Sequence, residues 1–124
     1  MKLRTDTIGH FENPTEDNIF DAVIYAGEGA RESDLVKLMT DEEHFICIWI
    51  GQRSAGHTLI LRTGPWKNEC TEKLSSERVV DLMVKYLHGD YLEFKKIQWK
   101  RPFDQIFLDN LNKLNKLING GKLH

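Results

Sequence analysis

The chain has 124 residues, 40% of them hydrophobic and 29% charged, with a formal net charge of −2; this excludes disordered and fibrous classes and leaves room for one core, not for a catalytic domain joined to a separate binding domain. The small total hides a separation: residues 1–44 hold eleven acidic side chains against four basic ones, and the remainder is net +5. In one compact unit that asymmetry presents an acidic surface suited to a basic partner.

Residues Lys2–Ile8, rich in threonine, predict a first strand. Asn13-Pro14-Thr15-Glu16-Asp17 predicts a helix start, with Asn13 as cap, Pro14 in the first helical position and acids at the positive helix end. That helix is expected to reach Ala26, to bury Ile19, Phe20, Val23 and Ile24, and to stop at Gly27-Glu28-Gly29. Three strands follow, Asp34–Thr40, His44–Ile50 and His57–Thr63, joined by short polar or Gly-containing links in the manner of an antiparallel meander. Residues 45–50 are apolar on both alternating faces, so this strand is expected at the sheet centre with cover on each side. Gly64–Asn68 reads as a turn, Glu69–Leu74 as a charged edge strand, and Ser75 or Ser76 as the cap of a helix over Glu77–His88. Leu92–Arg101 alternates weakly as a strand closed by Pro102. From Phe103 the spacing of Phe107, Leu111, Leu114 and Ile118 predicts a last helix. The expected fold is therefore α+β, a mainly antiparallel sheet of five to six strands with about three helices packed on it. Residues 1–119 form one domain in this reading. Residues 120–124 form a flexible tail in which Lys122-Leu123-His124 matches a cloning scar, so His124 is left out of functional reasoning.

The longest apolar run, Phe45–Ile50, is six residues, far below the ~20 that span a bilayer, and the amino terminus has no signal-like stretch; the expected location is the cytoplasm, with no membrane contact. Cys47 and Cys70 form no CxxC pair and are expected as reduced thiols. The histidines stand at no metal-ligand spacing and no phosphate-cradling glycine motif is present, so neither a metal nor another cofactor is expected. His44, His57 and Cys47 are the nearest approach to a nucleophile–base set, and a small enzyme built on them stays open as an alternative. The bland reading is a buried thiol between two strand-end histidines. Asp41-Glu42-Glu43 reads either as a solvated turn or as an acidic handle for a partner. Trp66, beside Gly64-Pro65, is the aromatic best placed for exposure, hence a candidate interface anchor; the alternative is that it folds over the sheet. Lys95–Arg101 interleaves four cations with Trp99, yet the sequence pI of about 6.2 argues against direct nucleic-acid binding. A homo-oligomeric regulatory domain paired through the stripe Phe107, Leu111, Leu114 and Ile118 is a further alternative.

Asn13-Pro14-Thr15 with Ile19 and Ala22, the Ser76-Glu77-Arg78-Val79-Val80 helix ending in Tyr86-Leu87-His88-Gly89-Asp90, and the Trp99 segment together resemble small bacterial immunity proteins encoded beside polymorphic toxins and contact-dependent growth inhibition systems. Those proteins often carry Trp after Asn-Pro-Thr, where this chain has Glu16. The resemblance implies a non-enzymatic protein that binds and blocks a cognate toxin domain, a basic one of the kind that includes nucleases. Charge and expected exposure, not any motif, nominate Glu28, Glu32, Asp41, Glu42 and Glu43 for steering and Trp66 as anchor.

Overall fold

The structure is a computed structural model and describes residues 1–25, 34–50, 56–101 and 109–113. The glycine stop after the first helix, Glu28, Glu32, the 51–55 link, most of the last helix (including Phe107, Leu114 and Ile118) and the tail 120–124 lie outside the described residues. Six strands form one sheet: β1 (Lys2–Thr5), β2 (Gly9–Glu12), β3 (Leu35–Asp41), β4 (His44–Trp49), β5 (Thr58–Thr63) and β6 (Trp66–Glu69). Their spatial order is β2-β1-β3-β4-β5-β6, and every neighbouring pair is antiparallel. Among the described residues three α-helices accompany it, α1 (Glu16–Phe20), α2 (Ser76–Leu87) and α3 (109–113). The fold is α+β, as the hydrophobic patterning predicts.

Pairing register divides the sheet into two faces. One carries Leu3, Val36, Leu38, Ile46, Ile48, Leu59 and Leu61, all buried with Ile19, Ala22 and Val23 of the first helical segment and Val79, Leu82, Met83 and Tyr86 of α2. The α2 residues recur at three- and four-residue steps, so a single stripe meets the sheet. The opposite face holds a smaller cluster, Met39, Phe45, Cys47 and Ile60. Over it Lys37 lays its stem, with Nζ 4.1 Å from the Phe45 ring centroid, covering apolar surface while keeping its charge near solvent. The expected double cover of β4 thus extends over Phe45 and Cys47 but not over Trp49, which is exposed.

Several local expectations are corrected. The first strand ends at Thr5. Asp6–Ile8 make a turn, closed by the Thr5 hydroxyl donating to Gly9 O and accepting from Ile8 N, and β2 returns along β1. Thr15, not Asn13, caps α1: its hydroxyl accepts from Asn18 N while the Asn18 side chain accepts from Thr15 N, a reciprocal box. Asn13 instead takes a left-handed backbone (φ 48°) that brings the chain off β2. After Phe20 the helix widens into a π turn over Asp21–Tyr25, and Phe20 is exposed alongside Asp17 and Asp21 instead of joining the buried stripe. The edge strand is Trp66–Glu69, earlier than Glu69–Leu74, and Leu92–Lys96 is a 3-10 turn, not a strand. Segment 98–101 does run along β6: Cys70 bridges Trp99, Lys100 N donates to Glu69 O, Thr71 N to Gln98 O, and the Asn68 side chain bonds both backbone groups of Arg101.

Gly56 has φ +75°, and a Cβ there would lie 2.8 Å from Leu74 O, so only glycine permits this approach. Tyr86, 1% exposed, is packed edge-on against Tyr91, and among the described residues its hydroxyl has no hydrogen-bond partner. Burial raises its pKa. An unmet buried hydroxyl costs about 1–3 kcal/mol. Tyr86→Phe is therefore expected to keep or raise stability, by up to about that amount, in urea denaturation; a clear loss would mean the hydroxyl is bonded in solution.

Candidate functional site

The antiparallel register brings the β3–β4 and β5–β6 turns to the same end of the sheet. Asp41, Glu42 and Glu43 occupy the first turn and are all exposed. In the second, Gly64 (φ +61°) turns the chain and donates its N–H to Glu43 O at 2.9 Å. Trp66 follows at once, paired with Thr63 and 46% exposed. The three acids and the tryptophan nominated from sequence are thus neighbours. Glu12 ends β2 at this end, since Lys2 pairs with both Glu12 and Met39, and the first turn of α1, with Glu16 and Asp17, begins just beyond it. Glu12, Glu16 and Asp17 were not nominated, because β2 has no aliphatic alternation to reveal the hairpin that carries them here.

The acids of the turn are not equivalent. Asp41 accepts from His44 Nδ1 at 2.8 Å and from Glu43 N at 2.8 Å. Partial desolvation pushes its carboxyl upward, but these hydrogen bonds outweigh that and leave its pKa below the ordinary aspartate value. Glu42 pairs with Arg4 at 3.3 Å and Lys37 at 3.6 Å, joining the turn to the cations on the open sheet face. Glu43 has no side-chain partner among the described residues, so its charge is the one most available to a ligand. The site has exposed negative charge beside a large aromatic surface, which suits recognition of a basic protein surface.

His44, His57 and Cys47 do not come together. His44 pairs with Thr63 at one end of β4 and β5, whereas His57 precedes Thr58, the partner of Trp49, at the other. Cys47 lies on the face opposite both. His57 is buried, its Nε2 2.7 Å from Ser76 Oγ at the start of α2, and burial lowers its pKa. Burial pushes the Cys47 thiol up to about 11, and Cys70 is raised for the same reason. Leu111, from the stripe proposed for self-association, is fully buried in the main core. Among the described residues no group of three or more His, Cys, Asp or Glu side chains could hold a metal ion, and no helix is long and apolar enough to cross a membrane.

No family model, curated protein or solved structure matches this chain. Its own geometry therefore bears the functional reading.

Two outcomes are expected here. Asp41 is held ionised in the fold, so the stability advantage of the wild type over Asp41→Asn is complete above the ordinary aspartate range near pH 4 and is lost as pH falls through the lower folded value. Solvent screening limits it to about 1 kcal/mol or less. Urea denaturation of both proteins across the acid range checks this, and an advantage that grows on acidification contradicts it. In native protein at pH 8, neither Cys47 nor Cys70 should react with Ellman's reagent until denaturant is added; rapid titration of Cys47 would restore the nucleophile alternative.

Proposed function

We propose that the chain is an immunity-type inhibitor, which binds a basic bacterial toxin domain in the cytoplasm and blocks it by protein–protein contact. The observation that carries this reading is the joining of the acidic Asp41–Glu43 turn to exposed Trp66 through the Gly64–Glu43 hydrogen bond. Acidic side chains on the rim accelerate capture of a positively charged partner, and an aromatic anchor that becomes buried slows its release. The resemblance of the Asn13–Thr15 and Ser76–Val80 segments to immunity proteins supports the same conclusion.

The structure also decides which variants test it. Asp41 and Glu42 are tied into the fold by His44, Arg4 and Lys37, so reversing them would disturb the hairpin as well as the surface. Glu43→Lys and Trp66→Ala leave those bonds in place. The immobilised chain is exposed to lysate of the source organism at low and then moderate salt. The expected catch is one basic polypeptide, retained in stoichiometric amount, toxic when expressed alone and tolerated when coexpressed with this chain. Glu43→Lys should slow its association severalfold, and Trp66→Ala should speed dissociation by about tenfold or more. Retention of nothing, or of nucleic acid only, overturns the proposal; unchanged kinetics in both variants removes this sheet end as the contact.

A further inference from the structure

The border strand β2 offers a second interaction surface, made of backbone. Hydrogen-bonded and non-bonded pairs alternate along an antiparallel ladder. The even-numbered residues of β1 bond β3, since Asp6 N donates to Leu35 O at 3.1 Å in the register of the Lys2–Met39 and Arg4–Lys37 pairs. The odd-numbered residues bond β2, in step with Asn13 N donating to Met1 O at 2.9 Å. Phe11 and Gly9 therefore direct their backbone groups to Leu3 and Thr5, and the N–H and C=O of His10 and Glu12 point out of the sheet. These outward groups have no partner among the described residues, and Gly9, His10 and Glu12 are all exposed. The strand has no lysine, proline or bulge to blunt an open edge.

Its side chains complement a copy of themselves. His10 and Glu12 lie on the face away from the main core, opposite Arg4 and Lys2, while half-buried Phe11 lies on the core face. Glu12 makes only an exposed ion pair with Lys2 at 3.7 Å, and His10 has no side-chain partner among the described residues. An antiparallel copy centred on Phe11 sets His10 against the second copy's Glu12 and Glu12 against its His10. Both become hydrogen-bonded pairs, so every outward group is used, and the Phe11 rings meet at the closer, non-bonded pair. Other registers are worse. Centring on His10 sets Glu12 against Ile8, whose N–H already donates to Thr5 Oγ1 at 3.0 Å. Centring on Glu12 opposes like charges and sets His10 against Pro14, which has no N–H.

We propose that β2 pairs antiparallel with β2 of a second copy of this chain, joining two six-stranded sheets across a two-fold axis at Phe11. This dimer goes beyond the inhibitor reading and does not depend on it. Because the two β2 strands run in opposite directions, the Asp41–Glu43 turns point to opposite ends of the joined sheet. The acidic ends are thereby kept apart, and Trp66 of each copy stays open.

Sedimentation velocity of the full chain over about a hundredfold range of concentration reads the association, and amide hydrogen exchange at both extremes locates it. The expected result is a monomer that becomes a dimer, with exchange slowed at His10 and Glu12 and little changed at Phe11. His10→Pro removes an outward N–H that β1 does not use, and proline is tolerated on such an edge. It should weaken dimerisation about tenfold or more, with the circular dichroism spectrum unchanged. A charge exchange tests the register without a proline. His10→Glu and Glu12→Lys should each self-associate about tenfold more weakly than wild type, whereas a mixture of the two should form a heterodimer, since each supplies the charge that the other lacks. A monomer throughout, a dimer whose His10 and Glu12 amides exchange as before, or a mixture that associates no better than either variant alone would overturn the proposal.

Discussion

Strand β4 is the constraint on which the rest of the molecule depends. A run of six apolar residues cannot sit in water on either face, so it must be flanked by strands and covered above and below. Ile46 and Ile48 meet this need under α1 and α2, and β3 and β5 supply the flanks. On the other face Phe45 and Cys47 are enclosed by Met39, Ile60 and the stem of Lys37. That second cover explains why Glu42 is ion-paired although it stays exposed. The ammonium lying over Phe45 needs a counter-charge, and with Arg4 it holds one carboxylate of the turn on the sheet side. Packing on one face thus decides which acids remain free on the rim.

The same pairing turns a statistical property of the chain into a local one. Acidic residues scattered through the first 44 positions would mean little on an extended surface. The register of β1, β2 and β3 and the start of α1 collect Glu12, Glu16, Asp17, Asp41, Glu42 and Glu43 toward one end. The β5–β6 turn adds Trp66 there. Charge supplies long-range attraction that salt weakens; the aromatic surfaces supply short-range contact that salt leaves alone. A binding protein needs both, and the Gly64–Glu43 hydrogen bond sets Glu43 beside the turn that carries Trp66.

How much was legible in the sequence follows from the strength of each local signal. Strands β3, β4 and β5 and helix α2 are readable because burial imposes alternation on Val36–Leu38, continuous apolar runs on Phe45–Ile48 and Leu59–Leu61, and a helical period on Val79–Tyr86. Strand β2, Gly9-His10-Phe11-Glu12, has one large apolar residue and is held by pairing with β1, so no period could disclose it. Leu92–Lys96 has the alternation of a strand, but the contacts that decide its conformation are tertiary: Phe94 enters the core and accepts the indole N–H of Trp99 at 2.8 Å. Phe20 reads as core from its apolar character, although a 3.6-residue period places it with Asp17 and Asp21. For the candidate site, the Asp41–Glu43 acids and Trp66 were named in advance from charge and turn chemistry. Their adjacency, and the unequal freedom of the three acids, arise from strand register and cross-strand ion pairs that no local pattern encodes.

The two borders of the sheet are unlike. The outer side of β6 is occupied by residues 98–101, whose backbone and whose bonds to Asn68 imitate a further strand, and Lys100 pairs with Glu69 across it. The outer side of β2 has no such companion among the described residues. Runaway polymerisation through strand addition requires each molecule to offer two borders, one to receive and one to extend. In this fold residues 98–101 shield the backbone of Asn68–Thr71 from an incoming strand, a protection that β2 does not share among the described residues.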